Sequence, residues 1–170
     1  MQLAIRPEIP ADIPAIYQLN AAAFGSDAEA RLVDALRANG ALLLSLVAEA
    51  DGELVGHIAF SPVVIDSEAS SLVGVGLAPL AVAPLHQRQG AGSKLVEEGL
   101  RRLRSAGHRW CVVLGHADYY PRFGFVLART HGIRWEKPVP DNVFFVQALI
   151  PGGLDGISGT VRYRPEFDAL

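Results

Sequence analysis

The chain has 170 residues, half of them hydrophobic and 19% charged, a composition that makes a domain with a real core and excludes a disordered segment. Fifteen Lys and Arg against eighteen Asp and Glu leave a formal charge of −3. That balance argues against nucleic acid or an anionic membrane as the main partner, since both ask for a basic footprint. The single cysteine, Cys111, excludes an internal disulfide and a cysteine-rich zinc site, and no stretch reaches the ~18 apolar residues of a membrane helix.

From the N-terminus, Gln2 to Arg6 alternate and predict a short strand stopped by Pro7. Arg6, Glu8 and Asp12 stand among prolines, so this start does not read as a signal peptide and a cytoplasmic setting is expected. Ile13, Ile16, Tyr17, Asn20, Ala23 and Phe24 mark one helical face. Ser26 to Glu29 has the spacing of a capping box and predicts a second helix carrying Leu32, Val33 and Leu36, ended by Asn39-Gly40. Two β-prone runs, 42–48 and 54–60, flank Asp51-Gly52, the strongest two-residue hairpin signal. Gly56 inside the second run predicts a bulge or a close backbone approach. A polar loop is expected over 66–71.

Residues 72–83 are almost unbroken apolar sequence without a charge, the pattern of a central strand covered on both faces, and Pro84 closes it. Helix is predicted over 90–106, with Leu95, Val96, Leu100 and Leu103 inward and Gly107 just past its end. Arg101, Arg102, Arg104 and Arg109 gather at that C-terminus, where cations complement the dipole, and predict a solvated face. Residues 110–114 read as a buried strand, 118–122 as at most a short helix, 125–128 and 143–150 as strands, and 160–164 as an edge strand. Trp135 and the Phe144-Phe145 pair are candidates to line an acceptor pocket, with one of any such strand pair expected in the core. The order predicts a mixed α/β, α+β-like fold. It is not doubly wound, because strands and helices do not alternate from the start.

Chemistry concentrates between Leu80 and Val96. An apolar strand enters a loop of small residues and polar donors, and the loop opens a long helix. Amides at a helix start lack intrahelical partners, and the dipole there favours an anion by roughly 0.3–2 kcal/mol. Gly90 and Gly92 let the backbone approach such an anion, and Gln87, Arg88, Gln89, Ser93 and Lys94 add donors or charge. A Walker loop fails, because Arg88 stands where its first glycine is needed and Leu95 follows Lys94. A dinucleotide fingerprint fails for want of a third glycine at Leu95.

What remains, Gln-x-x-Gly-x-Gly from Gln87 to Gly92 after an apolar strand, resembles the pyrophosphate-binding motif of the GNAT superfamily of N-acetyltransferases. Val47 to Ile58 is similar to that family's central hairpin. Val113 to Phe125, with Tyr119-Tyr120 and Arg122-Phe123-Gly124-Phe125, resembles its late motif in the form of the YhbS-like bacterial branch. The resemblance covers residues 1–150 and implies one N-acetyltransferase domain there, with 151–170 a C-terminal extension packed on it. It further implies a central, mostly antiparallel sheet with helices on both faces. One parallel strand pair, 77–82 and 110–114, would splay around acetyl-CoA as co-substrate.

The same resemblance assigns roles. Backbone at Leu80, Ala81 and Val82 would bond the pantetheine amides. The loop from Gln87 to Lys94, Ala91 included, would hold the pyrophosphate, and Tyr119, Tyr120 and Phe123 would complete the cofactor site. Transfer would be direct, amine onto thioester, without an acyl-enzyme, and Cys111 inside an apolar strand reads as core. Tyr120, four residues before Gly124, occupies the family's general-acid position, which suits the proton need of a departing thiolate. A lysine-like amine with pKa ~10.4 costs about 4–5 kcal/mol to deprotonate at pH 7, and one near pKa 8 little more than about 1 kcal/mol.

Many relatives carry a glutamate on the cofactor strand, whereas 72–83 has no acidic residue. His116 and Asp118, just past the neighbouring strand, are the candidates for the base, and His57 is a third. Water-mediated deprotonation and an already neutral amine are equally open. The expected acceptor is a small-molecule or peptide amine; no metal, nucleic acid or membrane is expected, and a homodimer is allowed. The missing carboxylate motivates a rival, a non-catalytic acyl-CoA-binding or regulatory module of the same fold.

Overall fold

Local chemistry sets the element ends in the computed structural model, which describes residues 2–66 and 71–170. β1 (Leu3–Pro7) leads into a short 3-10 turn whose Asp12 carboxylate accepts the Ile9 amide (2.8 Å) and two Arg6 nitrogens (2.7 and 3.0 Å). α1 (Ile13–Phe24) ends on left-handed Gly25. α2 (Ala28–Ala38) starts from Asp27, so the capping box expected at Ser26 does not form. The Asp27 carboxylate makes no cap bond either, being held by the Tyr17 hydroxyl (3.2 Å) and Arg31 (2.8 Å). Asn39 and left-handed Gly40 end α2 as predicted.

β2 (Leu44–Ala50) and β3 (Glu53–Asp66) form the predicted hairpin, with Asp51 and Gly52 at φ +51 and +81, as a type I′ turn requires. Both expectations for Gly56 hold. The register shifts opposite it, and a Cβ there would stand 2.9 Å from Leu95. β3 runs on past Phe60 to Asp66; residues 67–70 of the expected polar loop lie outside the described residues. There follow β4 (Ser71–Val82), α3 (Ala91–Ser105), β5 (Trp110–Leu114), β6 (Val126–Leu127), β7 (Ile133–Trp135), β8 (Phe144–Ala148) and β9 (Gly159–Arg162).

The sheet runs β1-β2-β3-β4-β5-β8-β6, with β4 and β5 its parallel pair, Val75–Leu77 against Cys111–Val113. Off this path β7 and β9 pair in parallel, and β9 also pairs β3 antiparallel. The strand expected at an edge over 160–164 is therefore bonded on both sides. β7 escaped prediction, since three residues carry no readable period.

By contacts the chain forms two units, each with its own core. The first comprises the chain up to Ser61 with Ala78–Arg101 and Pro165–Leu170. In it, β2 and β3 alternate their side chains between two helical layers. Val47 packs with Ile16 and Val33 of α1 and α2. On the opposite face Gly56 meets Leu95, and Gly99 admits the Phe60 ring, 2.6 Å from where a Cβ would stand. Fully buried Leu36, Leu46, Ile58 and Leu95 each contribute about 1.5–3 kcal/mol of transfer free energy. The second unit, Pro62–Leu77 and Arg102–Arg164, is built on Val63, Ile65, Trp110, Val112, Phe144 and Val146, covered by Ile133, Ile157 and Val161. Gly74 lacks a Cβ where the Trp110 indole lies. Among the described residues no helix is long and apolar enough to cross a membrane.

Candidate functional site

In the first unit, the end of β4 is tied down before the helix begins. Ala83 N donates to Val55 O (2.8 Å), Gln87 Nε2 to Val82 O (3.2 Å), and Gln89 Nε2 to Leu85 O (3.5 Å). Arg88 and Gly90 then turn the chain in left-handed conformations, φ +63 and +92. The first bond of α3 is Lys94 N to Gly90 O, so the Ala91, Gly92 and Ser93 amides precede the helical ladder at its positive end. The Arg88 and Lys94 side chains are exposed and have no polar partner among the described residues. Ala81 is buried, and Leu80 and Val82 are half-buried. Leu85, which the sequence did not single out, is 88% exposed beside this loop.

The same unit encloses His57. Its ring is fully buried; Nδ1 accepts from Asn20 Nδ2 (3.2 Å), and Nε2 faces the Ser45 hydroxyl (2.9 Å). With Asn20 donating, the proton sits on Nε2. Burial pushes the imidazole down to about 4, against the pull of Glu8 and helped by Arg37. Burial alone would raise the Glu8 carboxyl, but the Arg37 guanidinium and the Ser45 hydroxyl hold it below its ordinary value. His57 is thus neutral, engaged at both nitrogens and closed to substrate, a structural group and not a base.

In the second unit the parallel ladder stops at Leu77 and Val113. Past β5, Gly115 N donates to Val143 O (2.8 Å), and His116 O accepts the amides of Tyr119 (3.2 Å) and Tyr120 (3.4 Å). This winds a 3-10 turn, Tyr120–Phe123, with Pro121 as its second residue and left-handed Gly124 at its end. Tyr120 is only 8% exposed, edge-on to Tyr119 (5.0 Å) and Phe125 (5.8 Å). A Cβ on Gly115 would run into its ring. Burial, with Tyr119 and Cys111 nearby, pushes the phenol above its ordinary 10.0, so it carries its proton at neutral pH. Tyr119 is half-buried, stacked under the Arg122 guanidinium (4.6 Å) and edge-on to Phe123 (5.1 Å).

His116 and Asp118 are exposed in that turn, without a side-chain partner among the described residues. Cys111 is fully buried and its thiol pushed up by burial, which removes it as a nucleophile. Phe144 and Phe145 are both buried, on opposite faces, where one of the pair was expected in the core. Trp135 lies edge-on to Tyr163 (6.1 Å). Of the expected solvated arginines, Arg101 pairs with Glu98, but Arg104 reaches Gln147. Gln147 was missed; the one polar residue in Phe144–Ala148 was the signal that could have found it.

These features, a donor-rich turn opening α3 after an apolar strand and a strand–turn carrying a buried tyrosine, define a class. A family model described as an acetyltransferase (GNAT) domain matches residues 4–128, and the chain belongs to the GNAT acetyltransferases. It is 44% identical to the uncharacterized N-acetyltransferase YhbS of Escherichia coli K12 over 98% of this chain and 99% of that one. The crystal structure of E. coli YhbS in complex with CoA superposes with a TM-score of 0.92 at 43% identity, covering 99% of this chain and 93% of the other. A GNAT family acetyltransferase of Brucella melitensis in complex with acetyl-CoA gives a TM-score of 0.81 at 42% identity, over 98% and 99% of the two chains.

Proposed function

We propose that the protein transfers the acetyl group of acetyl-CoA directly to a small-molecule or peptide amine in the bacterial cytoplasm. The observation that carries this is the turn from Gln87 to Lys94. Its left-handed Arg88 and Gly90, leading amides and two exposed cations suit a pyrophosphate, and the two close relatives are solved with CoA and acetyl-CoA. Leu80, Ala81 and Val82 would offer their backbone to pantetheine, and Tyr119 and Phe123 remain cofactor-binding candidates. Residues 1–150 form one N-acetyltransferase domain in this reading, and 151–170 an extension whose β9 pairs with β3.

In the reaction, the neutral amine nitrogen attacks the thioester carbonyl, the C–S bond breaks, and Tyr120 gives its proton to the departing sulfur. His116 or Asp118, both open to solvent, takes the proton the amine loses. The buried Cys111 leaves no thiol for an acyl-enzyme.

Acetyl-CoA at 100 times its dissociation constant should stabilise the fold by about 2.7 kcal/mol, a melting-temperature rise of roughly 5–10 °C. S-acetyl-pantetheine, which lacks the diphosphate, should do far less; equal shifts would remove the phosphate role from this turn. Gly92→Val should weaken acetyl-CoA binding by about tenfold or more, roughly 1.4 kcal/mol, by crowding the backbone where phosphate oxygens approach. Calorimetric titration checks this, and unchanged affinity would misplace the pyrophosphate.

A further inference from the structure

Gln147 is 6% exposed on β8, in a strand whose neighbours Phe144, Phe145 and Val146 are all core. A buried amide left unpaired costs about 1–3 kcal/mol. This one is paired at both ends. Its Nε2 donates to Phe123 O at 2.6 Å, and its Oε1 accepts from the Arg104 guanidinium at 2.7 Å. The orientation is forced, because a guanidinium has donors only: the amide oxygen must face Arg104, which leaves the NH₂ for the Phe123 carbonyl.

Phe123 is the last residue of the 3-10 turn that carries Tyr120. Such turns have poor hydrogen-bond geometry and hold their shape weakly on their own. This one has no side-chain cap at its start. Space for the clamp comes from Gly124, where a Cβ would stand 2.5 Å from Gln147 Nε2. Sheet, α3 and turn therefore meet at one amide, and three residues further back along the turn stands the phenol.

We propose that Gln147 is a positioning residue for acetyl transfer: it clamps the Phe123 carbonyl to β8 and so fixes the Tyr120 hydroxyl, with Arg104 setting the direction of the amide. The inference rests on Tyr120 being the proton donor. Gln147→Met keeps the volume and removes both bonds. Gln147→Glu keeps the Arg104 partner but turns a carboxylate oxygen toward the Phe123 carbonyl. Arg104→Met, a change on the surface, frees the amide to turn over.

Steady-state kinetics should show kcat lowered on the order of 10–100-fold in both Gln147 variants, with KM for acetyl-CoA within about twofold, since misplacement by about 1 Å can cost that much. Arg104→Met should lose less, in the same direction, and stays informative should a Gln147 variant fail to fold. The deciding readout is the Tyr120→Phe background. There each of these changes should cost less than about threefold, because the group being positioned is gone. A large Tyr120→Phe loss with the second loss undiminished, or losses confined to KM, overturns the inference alone. Full turnover in Tyr120→Phe overturns the acid role and the inference with it.

Discussion

Tyr120→Phe is expected to lower kcat by about 10²–10⁴-fold while KM for acetyl-CoA hardly moves. The ring stays where Tyr119, Phe125 and Phe145 hold it, so packing is kept and only the phenolic proton is lost. The depth of the ring makes the assignment specific. A phenol raised by burial is fully protonated before the reaction, and the sulfur becomes strongly basic only as the C–S bond breaks. Tyr119→Phe is the control and should cost much less. An acyl donor with a more acidic thiol should restore much of the Tyr120→Phe loss, since a better leaving group needs less help from an acid. A variant that instead weakens cofactor binding with turnover intact would make Tyr120 a structural contact.

Acid should destabilise the fold through His57 well before the carboxylates titrate. The folded imidazole sits at about 4 against an ordinary 6.5, so between these values the unfolded chain binds a proton that the fold refuses. Stability is then full above pH 6.5 and falls as pH drops toward 4. The slope is about 1.4 kcal/mol per pH unit, for a total of about 3 kcal/mol. Glu8, held below its ordinary 4.5, loses its share only further down. Denaturant unfolding from pH 7 to pH 4 should show this drop in the native protein and a much flatter curve in His57→Gln. Parallel curves for the two would mean that the buried imidazole does not govern the acid limb.

The parts of the molecule legible in sequence are those fixed by their own few residues. Asp51-Gly52 specifies a hairpin because both positions need positive φ, and Gly56 announces a tight approach because it lacks a Cβ. The turn at Gln87–Gly92 was legible as a turn for the same reason: Gly90 takes positive φ there, and the helix opens just after it with its first amides ahead of the ladder. Where two neighbours could serve, the signal misled: Ser26 and Asp27 can both begin a helix, and the tertiary partners Tyr17 and Arg31 decided between them.

Groups whose role depends on distant partners stayed hidden. His57 looked like a possible base until Asn20, 37 residues away, and Ser45 closed on its ring. Gln147 takes its meaning from Phe123 and Arg104, 24 and 43 residues back. β7 is a three-residue strand that exists because it pairs with β9, which no local period encodes; β9 itself was foreseen as a strand, but not its bonds to both β7 and β3.

Acetyl transfer itself is tested by incubating the purified protein with acetyl-CoA and a mixed panel of small amines and peptides. Acetylated products are read by mass spectrometry and released CoA by its free thiol. At least one acetylated amine is expected, formed in equal amount with free CoA and lost with Tyr120→Phe. Tight binding of acetyl-CoA with no acetylated amine across the panel would contradict acetyl transfer, and would leave a module that holds the cofactor without using it.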